Sequence, residues 1–414
     1  AWKSCGKNWR NLTLCKERKR AMFDFDQSIN RRQTNCLKWD KADLFGLDRV
    51  EYPFWIADTD FATVPEVVEA MRRRCGHPLF GYNFPGEGCI PAVQGWYERR
   101  HGWHFETEEA FVSVGVVTVL RFTLEAVTRP GDQVLIFTPV YNPFEEIIRN
   151  TGRVVADCPL RETGDSYEID FEDLERRLAG GVKAIIFCNP HNPVGRVWRR
   201  EELERLAGLC CRYDVLLLSD EVHGDIVLHG IRYTPMGTIP GIQDRLAVYT
   251  AVSKTFNLAG LGASCIIVPN PELRERIRAE LKKAWIMSPN IMACEAMEAA
   301  YRHGDQWLDE LNAYLTRNSD YVQAYLARYV PGLKAARHEG TFLMWLDFRC
   351  CGMDSDQVTR RLAREFGVGL GNGAGYGRQA DGFMRFNIAC PLELLKRGLE
   401  GIRGFCGKYA LETD

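Results

Sequence analysis

The sequence predicts an α/β protein: a mainly parallel seven-stranded sheet flanked by helices, accompanied by a smaller α+β unit. Three observations carry this. Between Phe111 and Val268 short apolar runs alternate with amphipathic helical stretches. The runs have little polar interruption, as strands buried on both faces do. From Pro289 onward the pattern becomes mostly helical. At 414 residues, with 46% hydrophobic and 26% charged residues, the chain fits one large or two ordinary globular domains and excludes disordered, collagenous and coiled-coil classes. Its apolar runs fall far short of the ~20 residues of a membrane-spanning helix. Lys plus Arg number 53 against 55 Asp plus Glu, so no bulk charge draws the chain to nucleic acid or anionic lipid. A small-molecule partner is expected.

In chain order, residues 1–21 carry seven basic residues against Glu17 alone and read as a basic N-terminal extension, with Met22 as the natural start. No apolar stretch of signal-peptide type follows the basic residues. Residues 22–60 form a segment expected to join the small domain, 61–300 the large domain and 301–414 the small C-terminal domain. A helix is expected from Thr63, with Thr63 and Glu66 as a capping box and Pro65 in its first turn. The sheet strands are expected at Phe111–Val114, Val134–Phe137, Arg153–Cys158, Lys183–Phe187, Val215–Ser219, Leu246–Thr250 and Ser264–Val268. Helices are expected at Glu295–Arg302, Trp307–Tyr329 and near Asp356–Phe366, with an apolar strand-like segment at Thr341–Phe348. Fifteen cysteines, vicinal at Cys210-Cys211 and Cys350-Cys351 and without CxxC spacing, match neither a disulfide scaffold nor a tetrahedral metal site. They point to a reducing, cytoplasmic compartment, with Cys188 and Cys265 acting as small hydrophobes.

In open α/β sheets ligands bind at the carboxyl ends of the strands, and several polar groups stand there. Lys254 follows the strand Leu246–Thr250; burial there would lower its pKa and free the amine that a Schiff base needs. Taken alone, a strand-end lysine is more often solvated or paired. Asp220, Glu221 and His223 follow Val215–Ser219. An inward Asp220 can pair with a protonated ring nitrogen, while the plainer readings are a helix N-cap, a solvated acid and a hydrogen-bonded core histidine. Asn189-Pro190-His191-Asn192-Pro193-Val194-Gly195 is a stiff turn able to hold an amide against a ligand oxygen. The base rate favours trans bonds before its prolines, and cis bonds would suit a fixed site loop. The turn Gly115-Val116-Val117-Thr118 opens a helix whose first amides can bind phosphate, and Tyr141 could stack on a flat ring. Gly369-Leu370-Gly371-Asn372-Gly373-Ala374 matches GxGxxG/A by count but lies too close to the C-terminus for a dinucleotide fold, so Gly371–Gly377 reads as a loop. His101 and His104 lack a third metal ligand and read as solvated.

Together these residues resemble the fold-type I pyridoxal-phosphate enzymes, and among them the MalY/PatB-type carbon–sulfur β-lyases, relatives of the class I and II aminotransferases. The likeness runs from about Phe25 to Gly404. It is carried by Asn30-Arg31-Arg32 through Lys38-Trp39-Asp40, Trp55-Ile56-Ala57-Asp58-Thr59-Asp60-Phe61, Phe80-Gly81-Tyr82, Ser219–Asp225, Ser253–Gly260 and Arg385-Phe386-Asn387-Ile388-Ala389. The resemblance implies an aspartate aminotransferase-like fold and pyridoxal 5'-phosphate as cofactor. Lys254 would condense with the cofactor aldehyde, Asp220 would bind the pyridine nitrogen, Asn192 with His223 as a second candidate would face the ring hydroxyl, and Tyr141 would stack. Val116 and Val117 would give amides to the phosphate, joined by Tyr82 from the other subunit of a homodimer with shared sites, and Ser253 would be a further cofactor contact. Arg385 would fork onto a substrate α-carboxylate. Two departures stand out: Ala251 and Gly262 replace the serine and arginine that many aminotransferases show three residues before and eight after the lysine. The implied reaction is β-elimination from cystathionine or a cysteine S-conjugate to a thiol, pyruvate and ammonia. The rivals are an aminotransferase and a regulatory binding protein without turnover.

Overall fold

The structure is a computed structural model that describes residues 22–410 except Asp48; the basic extension 1–21 lies outside the described residues. Strand β1 (Tyr52–Phe54) comes first and joins a sheet completed late in the chain. Strands β2 (Ala110–Ser113), β3 (Gln133–Ile136) and β4 (Val154–Asp157) open the main sheet, and β5 (Arg161–Thr163) with β6 (Ser166–Glu168) forms a separate antiparallel ribbon. The main sheet is completed by β7 (Ala184–Cys188), β8 (Leu216–Asp220), β9 (Leu246–Thr250) and β10 (Ser264–Ile267). Its order is β2-β10-β9-β8-β7-β3-β4, and all neighbours are parallel except β10, which is antiparallel to both β2 and β9.

Seven strands therefore stand where seven apolar runs are read, with ends shifted by a residue or so. Their composition explains the arrangement. Side chains alternate between faces, and both faces are apolar: Leu135, Ile185, Phe187, Leu217 and Val248 enter one core cluster, while Val134, Ile136, Ile186, Leu218 and Tyr249 enter another. The second cluster is closed by the helices Val116–Val127, Pro143–Asn150 and Pro271–Lys283, which supply Leu120, Ile148 and Ile277. Because β10 opposes both neighbours, β2 runs in the same sense as β9. The carboxyl ends of β2, β3, β7, β8 and β9 consequently share one edge.

The late strands β11 (Lys334–Ala335), β12 (Leu343–Asp347), β13 (Val368–Asn372) and β14 (Phe383–Asn387) take β1 into a five-stranded sheet of order β1-β13-β14-β12-β11. Only β1 and β13 are parallel there. The helices Asp305–Tyr329, Ser355–Phe366 and Leu392–Tyr409 accompany it.

Several expectations need correction. The helix after Thr63 starts at Pro65 with Val64 as N-cap and no side-chain cap; Thr63 Oγ1 is buried without a partner, so the capping box does not form. Proline's fixed φ and missing N–H start this helix unaided. Gly371 is a strand residue of β13 rather than the start of a loop, and only Gly373–Tyr376 forms a tight 3-10 turn. Both Asn-Pro bonds, Asn189-Pro190 and Asn192-Pro193, are cis, as is Thr138-Pro139.

Candidate active site

At the shared carboxyl edge lies a cavity of about 280 Å³ lined by residues from five strand ends, among them Val116, Val117, Tyr141, Asn192, Asp220, His223, Ser253 and Lys254. Each arrives by the same logic: a buried strand ends, and the next residues turn into the crevice. Eight of the ten residues singled out in the sequence are thus brought together. Arg385 reaches the group from β14 of the other sheet, its Nη1 donating to Asn192 Oδ1 at 3.2 Å. Tyr82 does not join them; it stands fully exposed in an irregular segment that also carries the exposed side chains of Leu79, Phe80 and Phe84.

Lys254 sits in the short helix Val252–Thr255, four residues beyond β9. Its Nζ donates to the Ala57 carbonyl at 2.8 Å. Burial, and then the charge of Arg385, lower its pKa to about 8, against a smaller upward pull from Asp58 and Asp220. A substantial neutral fraction is therefore present near neutrality, as an amine nucleophile requires. Asp220 is the last residue of β8, paired with Cys188 and Tyr249, and not a helix cap. Burial pushes its carboxyl up to about 7, opposed by the Val222 amide at 3.2 Å and by Lys254. Glu221 is likewise no solvated acid. Only 1% exposed, it accepts from Ser219 Oγ (2.7 Å), the Met236 amide (3.0 Å) and the Tyr233 hydroxyl, so it braces the loop behind the site. His223 is buried and neutral, its pKa driven down by burial and by the charges of Lys254 and Arg385. Its Nδ1 lacks a partner, unlike an ordinary core histidine.

Arg385 is 6% exposed. Its Nη2 donates to the Trp55 carbonyl at 2.8 Å, its guanidinium lies 5.2 Å from the Tyr376 ring centre, and its Nε is buried without a partner. The helix Val116–Val127 begins at Gly115 with no side-chain cap; Thr118 and Val119 already donate to the Gly115 carbonyl, while the amides of Val116 and Val117 belong to the first turn, which has no acceptor of its own. Neither a Cβ at Gly115 nor one at Gly262 would meet an atom within 4 Å. Open space thus adjoins the amides and fills the place of the missing arginine.

Sequence reasoning assigned no role to Ala57, whose carbonyl holds Lys254, to Asn387, whose Nδ2 donates to the Ile56 and Asp58 carbonyls at 2.6 Å each, or to Asn257, which bonds Thr59; Cys188, read as a small hydrophobe, also lines the cavity. Backbone contacts leave no trace in side-chain identity; the polar Asn387 within an apolar strand was the one available signal. His101 is not solvated: its Nε2 lies 2.7 Å from Asp225 Oδ1. His104 is exposed.

The family model "Aminotransferase class I and II" matches residues 54–402. The chain is 40% identical to "Cystathionine beta-lyase PatB" of Bacillus subtilis (strain 168) over 92% of its length and 99% of that protein's, and 32% identical to "Protein MalY" of Escherichia coli (strain K12), over 92% and 98%. Among solved structures, cystalysin from Treponema denticola, whose crystals contain pyridoxal 5'-phosphate, superposes with a TM-score of 0.90 at 32% identity, covering 94% of this chain and 99% of that one. The chain belongs to the class I and II aminotransferase family.

Proposed function

We propose that this protein is a pyridoxal-phosphate-dependent carbon–sulfur β-lyase. It cleaves cystathionine or a cysteine S-conjugate to a thiol, pyruvate and ammonia. The observation that carries the reading is Lys254: an amine tuned near neutrality at the edge of a cavity that also holds a buried Asp220 and lies beside a buried Arg385. The relatives named as cystathionine β-lyases support the choice of reaction.

The residues fit the cofactor. Two buried nitrogens without partners, His223 Nδ1 and Arg385 Nε, stand in or beside a cavity large enough for one pyridine ring, with open space at the uncapped helix start. When bound, pyridoxal phosphate supplies an aldehyde that condenses with amines and an electron-poor ring that absorbs negative charge from an adjacent carbon. The Val116 and Val117 amides at the helix N-terminus would hold the phosphate, and Ser253 also lines the cavity. Asp220, raised by burial, becomes a good anionic partner once a ring N–H⁺ faces it and keeps that nitrogen charged. Tyr141, which lines the cavity, would stack on the ring. Asn192 points its carbonyl oxygen at Arg385, which leaves its NH₂ to donate to the ring hydroxyl; His223 lies nearby.

Arg385 grips the substrate α-carboxylate with its planar fork. Lys254, freed from the Ala57 carbonyl, takes the α-proton as general base. The C–S bond then breaks with its electron pair on sulfur, and the thiolate leaves. The resulting 2-aminoacrylate is hydrolysed by water to pyruvate and ammonia. A second copy of the chain completes the site: the exposed Tyr82, with Leu79, Phe80 and Phe84 around it, forms an apolar face that a homodimer would bury, carrying Tyr82 to the partner's phosphate. Thirteen free cysteines among the described residues support a reducing, cytoplasmic setting, and no helix there is long and apolar enough to cross a membrane.

The test is pyruvate release from L-cystathionine and a panel of S-substituted cysteines with no 2-oxoacid present. Release identifies the lyase. Turnover only after a 2-oxoacid acceptor is added would make the protein an aminotransferase instead.

A further inference from the structure

Residues 55–60 lie outside any helix or strand, yet their backbone touches both cations of the site. On the inner side, the Trp55 carbonyl accepts from Arg385 (2.8 Å) and the Ala57 carbonyl from Lys254 (2.8 Å), while Ile56 and Asp58 carbonyls share the Asn387 amide. Two carbonyls two residues apart thus hold the carboxylate-binding arginine and the amine at one spacing. Irregular backbone has no ladder to hold it, so its shape depends on whatever bonds it from outside.

Those bonds are unusually dense. Arg31 donates to Asp58 with both Nη2 (2.6 Å) and Nη1 (3.1 Å), to the Thr59 carbonyl (2.9 Å) and to Asp60 (2.7 Å). The buried Lys38 ammonium (2.7 Å) and Trp39 Nε1 (2.9 Å) also reach Asp60. Asn257, three residues after Lys254, accepts the Thr59 amide at 3.0 Å and donates to the same Thr59 carbonyl at 2.9 Å. Thr59 is therefore held by both a guanidinium and an amide, one from the N-terminal segment and one from the lysine's own loop.

We propose that Arg31 and Asn257 are positioning residues that clamp the 55–60 segment and thereby set the placement of Arg385 relative to Lys254. The proposal rests on the function read above and deepens it. Displacing reacting groups by about an ångström can cost on the order of a hundredfold in rate, so loosening one clamp while the other remains should cost less.

The test uses holoenzyme. Arg31→Ala leaves the buried Asp60 still paired with the Lys38 ammonium and Trp39 Nε1, and Asp58 partly exposed, so no deeply buried charge is left bare. Asn257→Gly keeps the left-handed backbone (φ +58°) and removes only the amide. Both should raise KM for an S-substituted cysteine roughly tenfold and weaken calorimetric binding of propionate, a bare carboxylate, by a similar factor. Arg31→Lys should recover only part, because one ammonium cannot bridge two carboxylates and a carbonyl as a planar fork does. Variants that match wild type within twofold in KM, kcat and propionate affinity, even with a lowered Tm, would overturn the clamp and leave these residues a purely structural role. Should Arg31→Ala not fold, Asn257→Gly decides. Propionate binding needs no turnover, so a wild type that makes no pyruvate sinks the lyase reading while this comparison still judges the clamp.

Discussion

Lys254 owes its chemistry to burial: the same amine in water would hold its proton until about pH 10.4, whereas here its pKa falls to about 8. Only the neutral amine attacks an aldehyde, and its fraction grows as pH rises through that value. The rate at which apoprotein captures pyridoxal phosphate, followed by absorbance, should therefore climb with pH and level off above about 8; a rate still climbing past pH 9.5 would contradict the assignment. Lys254→Ala should bind the cofactor without forming a borohydride-trappable bond and should make no pyruvate. In the proposed reaction Arg385 acts through its shape. Arg385→Lys keeps the charge and loses the fork, so KM should rise about tenfold or more while the fold persists, and an unchanged KM would remove Arg385 from carboxylate binding. Lys254 was visible as a charge just past an apolar run, although by itself it read as solvated or paired, and Arg385 entered only through the family resemblance. The pair Tyr233 and Glu221, which braces the loop behind them, was not visible, since it spans twelve residues and a turn.

At the scale of elements, strands read reliably because a sheet covered on both faces leaves uninterrupted apolar runs. Helix starts read less well: Pro65 opens its helix by φ alone, and the Thr63 hydroxyl finds no amide to cap. The GxGxxG-like stretch shows how one pattern can serve another end. Gly371 pairs with Arg385 across β13 and β14, and a Cβ there would sit 3.2 Å from the Arg385 Cβ and 3.5 Å from its Nε. Its role is close approach, leaving room for the guanidinium beside the strand. Gly371→Ala should push Arg385 aside and raise KM severalfold with a smaller change in kcat, measurable by steady-state kinetics; an unaltered KM would mean that the strand absorbs the methyl group.

For the whole molecule, Leu79, Phe80, Tyr82 and Phe84 are exposed, and the proposed homodimer is what would bury them and complete the phosphate site. Phe80→Asp should yield a monomer by sedimentation, with weakened cofactor retention and little activity; a fully active monomer would exclude a shared site. The amino-acid sequence by itself determined the seven-stranded plan and the chemical kind of residue at each strand end, because apolar periodicity and strand-end polarity are local properties. Tertiary structure alone decided that Trp55 and Ala57 carbonyls hold Arg385 and Lys254, and that Arg31 meets Asn257 at Thr59. The bonds from Lys254, Asn257 and Arg385 join residues some 200 to 330 positions apart, while Arg31 reaches Thr59 across 28; all end on backbone atoms that every residue carries, so no side chain at 55, 57 or 59 could announce them.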